Sequence, residues 1–299
     1  MDTLNTKIDV ACTNCGSDNR EVLFPAGVAQ IHQIVRCTDC DLMYASPRLP
    51  TVTNADEWDK ENVEDVAQNI PHRIEKEALQ VRDHRSTKAF LAKHHPQGGK
   101  LLEVGSSFGF LLDYMKQDGW DVLGIEPDPR LAKHAREMNN IDVIAELAED
   151  AGIEDNSMDA IIMLHVIEHV PDPIGLLEEL FRMLKPGGHL VLETPRYDSL
   201  MFKLLGKRER SLSCRGHILF YTVDSLKHAT ENAGFELVKY DLVGRSMTAD
   251  RLAWNLAVMS KIQILQDKAL TVLRKIGMNK IKFTLNMRDM QRFYLRKPD

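Results

Sequence analysis

Short apolar runs typical of buried strands alternate with helix-like segments from residue 100 onward, and this alternation limits the possible folds more than any other feature. Seven runs resemble strands: residues 100–104, 121–125, 141–145, 159–164, 189–193, 235–242 and 292–296. Helix-like segments include 110–117, 129–138, 174–184 and 223–233. This order predicts an α/β domain with a Rossmann-like, doubly wound seven-stranded sheet, whose last two strands form an antiparallel edge hairpin.

The rest of the chain divides around that domain. Residues 1–50 form a separate cysteine-containing segment, and residues 51–97 form a linker and an N-terminal helix over 72–95. Within the domain, 98–299, we expect a substrate lid over 196–222 and a helical insertion over 249–278. The insertion has apolar residues at roughly helical spacing, which predicts a packed lid or a homodimer face. A peripheral membrane contact through 249–282 is the alternative.

Composition and charge argue against a disordered chain, a secreted protein and a nucleic-acid-binding protein. Hydrophobic residues make up 43% and charged residues 27% of the chain, as in a soluble globular protein. The N-terminus lacks the apolar segment of a secretory signal, so we expect a cytoplasmic protein. The net charge of −6 divides into +8 over residues 245–299 and −14 over the remainder. Because an acidic body repels polyphosphate, we expect no nucleic-acid partner.

Four of the five cysteines form two C-x-x-C pairs, Cys12 with Cys15 and Cys37 with Cys40. Two intervening residues allow both thiolates of a pair to reach one tetrahedral ion, and four thiolates close its coordination. The pattern predicts a small N-terminal zinc ribbon with a structural metal. A pair of disulfides is the alternative, which a cytoplasmic location disfavours.

A glycine-containing turn follows the first strand of the domain, and it predicts the ligand site. Gly105 and Gly109 lie in this turn, and Glu126 ends the next strand. A carboxylate at that place accepts hydrogen bonds from ribose hydroxyls. Ser107 stands where a dinucleotide fingerprint has its middle glycine, so NAD is not expected.

Six motifs in order resemble the class I S-adenosylmethionine-dependent methyltransferases over roughly residues 98–243. They are Glu103-x-Gly105…Gly109, Gly124-Ile-Glu126-Pro, Ser157-Met-Asp159, His165-x-x-Glu168-His169, Leu184-Lys-Pro-Gly-Gly188 and Ala233-Gly-Phe. The ribbon resembles that of a subgroup associated with methylation of sugars, polysaccharides or other small metabolites.

The resemblance implies S-adenosylmethionine as cofactor and assigns residues to it. It places Glu103, Gly105, Ser106 and Gly109 around the methionine and ribose portions, Glu126 on the ribose, Pro127 and Leu147 beside adenine, and His165 near the reactive methyl. Glu103 replaces the commoner aspartate, and Ser107 adds a side chain where the backbone usually comes close.

The turn after the fourth strand carries His165, Glu168 and His169, and three roles are open for it. By resemblance to ubiquinone-type O-methyltransferases, these side chains could bind a divalent cation beside the acceptor. His169 could instead be a general base toward a substrate hydroxyl. Glu168 and His169 could also simply cap and orient the turn.

The lid contributes the remaining candidates. Residues 216–221 resemble the family's connection from lid to helix, so we expect His217 or Tyr221 to meet the acceptor. Five basic residues favour an anionic acceptor or form a solvated loop: Lys203, Lys207, Arg208, Arg210 and Arg215. The candidate catalytic set is therefore Glu168, His169 and His217.

These features predict an S-adenosylmethionine-dependent methyltransferase that O-methylates a small or sugar-containing acceptor, in cell-surface glycan or secondary-metabolite synthesis. One alternative is an RNA methyltransferase that reads RNA through its ribbon. The other is a non-catalytic, cofactor-binding scaffold.

Overall fold

The computed structural model describes residues 7–26, 32–48, 63–209, 212, 216–250, 252–253, 272–273 and 275–299. Its strands are β1 (Arg20–Phe24), β2 (Ile34–Cys37), β3 (Met43–Ala45), β4 (Lys100–Val104), β5 (Asp121–Ile125), β6 (Val143–Ile144), β7 (Met158–Leu164), β8 (Leu184–Pro195), β9 (Leu219–Phe220), β10 (Glu236–Thr248) and β11 (Lys282–Arg296). Its helices are α1 (Val63–Gln80), α2 (Arg85–His94), α3 (Phe110–Lys116), α4 (Pro129–Asn139), α5 (Pro173–Met183), α6 (Leu200–Leu205) and α7 (Val223–Asn232).

Seven strands form the main sheet in the order β10-β11-β8-β7-β4-β5-β6. The pairs from β8 to β6 are parallel, whereas β11 is antiparallel to both β8 and β10. The predicted doubly wound sheet and its antiparallel edge hairpin are therefore confirmed. The carboxyl ends of β4, β5 and β7 lie at one edge, where open α/β sheets bind ligands.

The main sheet is buried on both faces. In β7, Ala160, Ile161, Ile162 and Met163 are all fully buried, because helices cover both sides of the sheet and alternation is therefore lost. Side-chain caps start the helices that follow the strands. Asp128 accepts from the backbone of Arg130 at the start of α4, and Thr222 and Ser225 form a capping box on α7.

The predicted helix over 72–95 is interrupted by a 3-10 turn at Val81–His84. External partners bind this turn: the Asp83 carboxylate accepts from the backbone amide of Ser246 at 2.6 Å, and the Asp83 carbonyl accepts from Arg292 at 3.3 Å. Because the Asp83 carbonyl accepts this hydrogen bond from outside the helix, the chain forms a 3-10 turn there before it continues as α2.

The edge hairpin is longer than the sequence predicts. After a register shift between Val243 and Arg245, residues 245–248 of β10 pair with 282–285 of β11. Most of the predicted helical insertion over 249–278 lies outside the described residues, and so do Arg210, Cys214 and Arg215 of the lid. Among the described helices, none combines the length and apolar character that a membrane span requires.

A second, antiparallel sheet contains the strands of the N-terminal segment in the order β1-β2-β3-β9. We call the described residues 7–26 and 32–48 the N-terminal ribbon. Its third strand, β3, and its pairing with β9 of the lid are features that the sequence did not indicate. Ribbon residues such as Ile34, Leu42 and Tyr44 belong to the same buried cluster as Leu102 of the main sheet.

Candidate active site

The turn after β4 has three left-handed residues, Gly105 (φ 77°), Ser107 (φ 47°) and Gly109 (φ 73°). The amides of Gly105 and Ser106 both donate to the carbonyl of Ile125 at the end of β5, at 2.8 and 3.0 Å. A Cβ on Gly105 would lie 2.5 Å from Cγ2 of Val166, so only glycine fits. The turn of residues 105–109, which we call the cofactor turn, therefore packs directly against the turn of residues 165–169, which we call the histidine turn.

Glu126 is held at the end of β5 by backbone amides. Ser107 N donates to its Oε2 at 2.8 Å, and Asp128 N donates to its Oε1 at 3.0 Å. Burial raises the pKa of Glu126 to about 7, although these two amides oppose the shift. Each carboxylate oxygen keeps a further lone pair, so the predicted contact with ribose hydroxyls fits this geometry.

Glu103, on β4, is buried, and its Oε2 has no hydrogen-bond partner in the described part of the chain. Burial, together with the charges of Glu77 and Glu126, raises its pKa well above the ordinary value. A buried carboxyl group with a raised pKa is neutral on its own, and a cation bound beside it favours the ionised form. The cationic S-adenosylmethionine fits this site in charge.

Helix α1 covers the same turn, which sequence reasoning missed. Ser107 Oγ donates to Glu77 Oε1 at 3.0 Å, and Arg73 Nη2 donates to Ser107 Oγ at 3.3 Å. The added side chain of Ser107 is therefore bound by α1. Nothing in the local pattern of α1 distinguishes Arg73 and Glu77 from ordinary charged residues on an amphipathic helix.

The remaining residues assigned to the cofactor lie at the same edge of the sheet. Ser106 is buried in the turn, and Pro127 and Leu147 are half-buried just after β5 and β6. Their contacts with adenine or methionine stay predictions.

His165 follows β7 with φ 58°, and its side chain bridges two buried carboxylates. Nδ1 lies 3.3 Å from Glu168 Oε1, and Nε2 lies 3.4 Å from Glu193 Oε1. The His165 side chain is 44% exposed while those of its partners are 1% and 5% exposed, so it faces an opening above them. Burial opposes protonation, but the bonds to Glu168 and Glu193 outweigh it and raise the pKa of His165.

Glu168 is fixed from several sides. Its Oε2 accepts from Thr194 Oγ1 at 2.9 Å, and its backbone carbonyl accepts from Ile218 N at 2.9 Å. Burial would raise the pKa of Glu168, but the hydrogen bond from His165 lowers it to about 2. Glu168 is therefore an anion within a fixed frame.

His169 and His217 meet edge to face, with ring centroids 4.7 Å apart. His169 Nδ1 lies 2.9 Å from the carbonyl oxygen of Gly216. A carbonyl only accepts, so Nδ1 carries the proton, and Nε2 of the neutral ring keeps a lone pair for a proton or a metal. Burial, followed by the nearby His169, lowers the pKa of His217 to about 4, so His217 is neutral at pH 7.

The structure regroups the predicted acceptor-side residues. One ligand atom from each of Glu168, His169 and His217 lies within 4.8 Å of the others, and we call these residues the acceptor cluster. His165, which we had placed in the cation set, pairs instead with Glu168 and Glu193. Of the two residues expected as alternatives at the acceptor, His217 lies in this cluster, whereas Tyr221 is fully buried with its hydroxyl 3.5 Å from Oδ1 of Asn14.

The four thiols of the ribbon converge as predicted. Their sulfur atoms lie within 4.8 Å of one another, with Cys12 and Cys40 3.4 Å apart and Cys15 and Cys37 3.6 Å apart. Gly16 N donates to Cys12 O and Asp41 N to Cys37 O, so the two knuckles make the same turn. A tetrahedral zinc with bonds of about 2.3 Å separates its sulfurs by about 3.8 Å, so the cluster fits this ion.

The order of the main sheet, the glycine turn after β4 and the carboxylate after β5 define the class I S-adenosylmethionine-dependent methyltransferase architecture. A family model described as a methyltransferase domain matches residues 73–240, more than half of the chain. The chain therefore belongs to this methyltransferase family, and the resemblance found in its motifs is confirmed.

Relatives with curated names match a shorter part. The chain is 35% identical over 109 residues to a ubiquinone biosynthesis O-methyltransferase of Xanthomonas axonopodis pv. citri, covering 34% of the chain and 46% of that protein. It is 31% identical over 120 residues to the enzyme of the same name from Aliivibrio fischeri, covering 38% of the chain and 51% of that protein. The chain thus matches about half the length of these relatives.

Solved structures support the fold alone. A chain of the complex between the Haloferax volcanii Trm112 methyltransferase activator and a methyltransferase aligns with a TM-score of 0.56 at 14% identity, over 80% of this chain and 96% of that one. The YcgJ protein of Bacillus subtilis aligns with a TM-score of 0.50 at 14% identity, over 72% and 99% of the two chains.

Proposed function

We propose that the protein transfers a methyl group from S-adenosylmethionine to a hydroxyl oxygen of a small molecule. The observation that carries the proposal is the packing of the cofactor turn on the histidine turn, with Gly105 against Val166. This contact supports an arrangement in which the acceptor cluster lies beside the cofactor, at the end away from Glu126. The name of the curated relatives, O-methyltransferase, supports a hydroxyl acceptor.

When bound, S-adenosylmethionine supplies a methyl group on a sulfonium sulfur, which takes the electron pair of the broken bond. Glu126 would hold the ribose, and Glu103, which ionises when a cation binds beside it, would supply a negative charge for the cation. His169 Nε2 accepts the proton of the acceptor hydroxyl as its oxygen attacks the methyl carbon. Neutral His217 orients the acceptor by a hydrogen bond, and Glu168 stabilises the imidazolium that forms on His169.

Two observations narrow the chemical class of the methyl acceptor. The name of the relatives favours a ring hydroxyl of a quinone precursor. The exposed Lys203 and Lys207 of the lid favour an anionic acceptor, which agrees with the narrower hypothesis of a sugar-containing one. Protocatechuate, an anionic catechol, and uridine diphosphate glucuronate, an anionic sugar nucleotide, separate these two classes as probes.

The test compares His169→Gln and His217→Gln with the wild type and with the exposed control His228→Gln on α7. We expect His169→Gln to lower kcat with the accepted probe by roughly 10²-fold or more, as for removal of a general base. Binding of S-adenosylhomocysteine by calorimetry should stay unchanged in all variants. A kcat of His169→Gln equal to that of the wild type excludes the assigned base.

A divalent cation at the acceptor cluster is the second candidate, because three ligand residues of suitable type converge there. In that case magnesium or manganese should restore the turnover that a chelator removes, and His217→Gln should weaken the metal dependence. Turnover that stays constant through chelation removes this candidate.

We also propose that the ribbon binds one structural zinc through Cys12, Cys15, Cys37 and Cys40. A segment this small cannot bury enough apolar surface alone, so the metal would supply much of its stability. Elemental analysis should give one zinc per chain, and Cys37→Ser should lose it. Absence of zinc from protein purified without chelators would contradict the assignment.

A further inference from the structure

The N-terminal ribbon and the acceptor cluster are joined by one short strand. Strand β9 pairs antiparallel with β3, with Met43 opposite Phe220 and Tyr44 opposite Leu219. Ala45 N extends this ladder by donating to Ile218 O at 2.8 Å. Since β9 begins two residues after His217, the ribbon supplies the strand partner for the segment that carries this histidine.

The same segment is bound on its other side to the histidine turn. Ile218 N donates to the carbonyl of Glu168 at 2.9 Å, and His169 Nδ1 bonds to the carbonyl of Gly216. A Cβ on Gly216 would lie 2.8 Å from His169 Nδ1, which shows how close this approach is. Ile218 therefore lies between Ala45 of the ribbon and Glu168, bonded through its backbone to both.

A side chain of the first cysteine knuckle makes an independent connection. Asn14 lies between Cys12 and Cys15 and is only 4% exposed. Its Nδ2 donates to the carbonyl of Ser225 in α7 at 2.9 Å, and its Oδ1 accepts from the hydroxyl of Tyr221 at 3.5 Å. Asn14 thus holds the residues that follow β9, just as β3 holds β9 itself.

On the cofactor side, the described residues show no hydrogen bond from the ribbon. Glu126 and Ser107 are held by Asp128, Glu77, Arg73 and each other, and none of these hydrogen bonds involves a ribbon residue. The described ribbon therefore shares a buried apolar cluster with β4, but its hydrogen bonds to the site go to the half that contacts the acceptor.

We propose that the ribbon is a positioning element of the active site, and that Asn14 is its positioning residue. Through Asn14 and the β3–β9 pairing, the closed cysteine cluster fixes His217 and the Glu168–His169 turn, while cofactor binding is independent of it. The inference rests on the proposed function for the meaning of the acceptor cluster, and on the proposed zinc for closure of the knuckles.

The test uses the chain of 299 residues as Asn14→Ala, with Asn19→Ala as the matched control. Asn19 is an exposed ribbon residue whose side-chain amide donates to Asp39 Oδ2 at 3.1 Å, within the ribbon. Three quantities are measured: zinc per chain, calorimetric affinity for S-adenosylhomocysteine, and hydrogen–deuterium exchange followed by mass spectrometry. Exchange is compared for peptides covering residues 166–170, 216–222 and 121–128.

We expect Asn14→Ala to retain its zinc and to bind S-adenosylhomocysteine within about twofold of the wild-type affinity. Hydrogen exchange should be at least about tenfold faster in residues 166–170 and 216–222. In residues 121–128 the exchange rate should be unchanged. Asn19→Ala should match the wild type. Removal of zinc by a chelator should reproduce the Asn14→Ala pattern. Unchanged exchange in 166–170 and 216–222, with zinc retained, overturns the proposal, as does equal acceleration in 121–128.

Enzyme kinetics test the catalytic role of His169 separately from the positioning role of Asn14. With a probe that the wild type methylates, Asn14→Ala should raise KM for the acceptor or lower kcat while KM for S-adenosylmethionine stays constant. If His169→Gln retains full activity but the exchange pattern appears, the positioning contact stands and the proposed base is wrong. If His169→Gln is inactive but exchange is unchanged in Asn14→Ala, the base stands and the positioning role is wrong.

Discussion

Arg292 and Glu193 form a buried ion pair between facing positions of β11 and β8, with Nη2 2.5 Å from Oε2 and side chains only 1% and 5% exposed. The other oxygen of Glu193 lies 3.4 Å from His165 Nε2. Arg292 also donates to Ser86 Oγ at 2.9 Å, beyond the break between α1 and α2. One buried cation thus connects the edge hairpin, the N-terminal helices and the histidine that ends β7.

Replacing Arg292 by methionine should destabilise the protein strongly. Arg292→Met leaves the Glu193 carboxylate buried without its guanidinium, which typically costs about 3–5 kcal/mol of unfolding free energy. Urea unfolding followed by circular dichroism measures this change. Arg296→Met is the control on the same strand, because its pairs with Glu236 and Asp299 are exposed and should contribute less than about 1 kcal/mol. Equal losses of unfolding free energy in both variants would show that the buried pair stabilises the fold no more than the exposed pairs do.

Replacing Glu193 by glutamine should lower the pKa of His165. Against the opposing effect of burial, hydrogen bonds to Glu168 and Glu193 raise the pKa of His165, and this variant removes one of the two charges. A raised histidine pKa stabilises the fold below pH 6.5, and this contribution disappears as pH rises through the folded-state pKa. In Glu193→Gln that loss should therefore occur at lower pH.

Nuclear magnetic resonance titration of the His165 ring, assigned with His165→Gln, measures the shift directly. Thr194→Val is a useful comparison, because it removes a partner of Glu168 and leaves Glu193 and His165 intact. A midpoint for His165 that is the same in the wild type and Glu193→Gln would mean that Glu168 alone sets its protonation.

The sequence predicted those parts of the site that depend on local pattern. The run into Gly105, the position of Glu126 after β5 and the two cysteine knuckles each lie within a few residues of the signal that indicates them. The structure agrees with the sequence at these three places because strand periodicity, left-handed glycines and ligand spacing are local properties. The main sheet and its edge hairpin follow for the same reason.

Contacts between distant segments could not be predicted. Asn14 and Ser225 are 211 positions apart, and nothing around either residue indicates the other. Likewise β9 is only two residues long, so its pairing with β3 depends on where the lid returns to the domain. Arg292 looked like an ordinary strand residue until the structure placed Glu193 opposite it.

Acid should destabilise the protein through His189, which lies at the start of the buried part of β8. His189 is 4% exposed, and its Nδ1 is 2.9 Å from Nε2 of His95. Burial, followed by the neighbouring His95, lowers the pKa of His189 to about 4. Between pH 6.5 and 4 the unfolded chain binds a proton here that the folded chain does not, so stability falls as pH falls.

The expected slope from His189 alone approaches about 1.4 kcal/mol per pH unit within that window. His189→Phe should remove one proton from the pH dependence of the unfolding free energy, measured by urea titration at several pH values. Comparison at pH 8, where His189 is neutral in both states, separates this effect from altered packing against Phe90. A variant with the wild-type slope would assign acid sensitivity to other groups.

Cofactor affinity should increase with pH up to about neutrality because Glu126 must ionise. Burial raises the pKa of Glu126 to about 7, and ribose hydroxyls bind best to the ionised carboxylate, so binding releases a proton below that pH. The affinity for S-adenosylhomocysteine should then rise by up to about tenfold per pH unit below pH 7 and level off above it. Calorimetry in buffers of different ionisation enthalpy counts the released protons.

Glu126→Gln should bind S-adenosylhomocysteine more weakly and lose one proton from this pH dependence. Glu137→Gln, which replaces an exposed residue of α4 that pairs with Lys133 across one helical turn, should retain both the affinity and the slope of the wild type. If Glu126→Gln bound with an unchanged slope, the proton would come from another carboxyl group. Glu103 would then be the group to replace, since its pKa is also raised by burial and it lies beside Glu126.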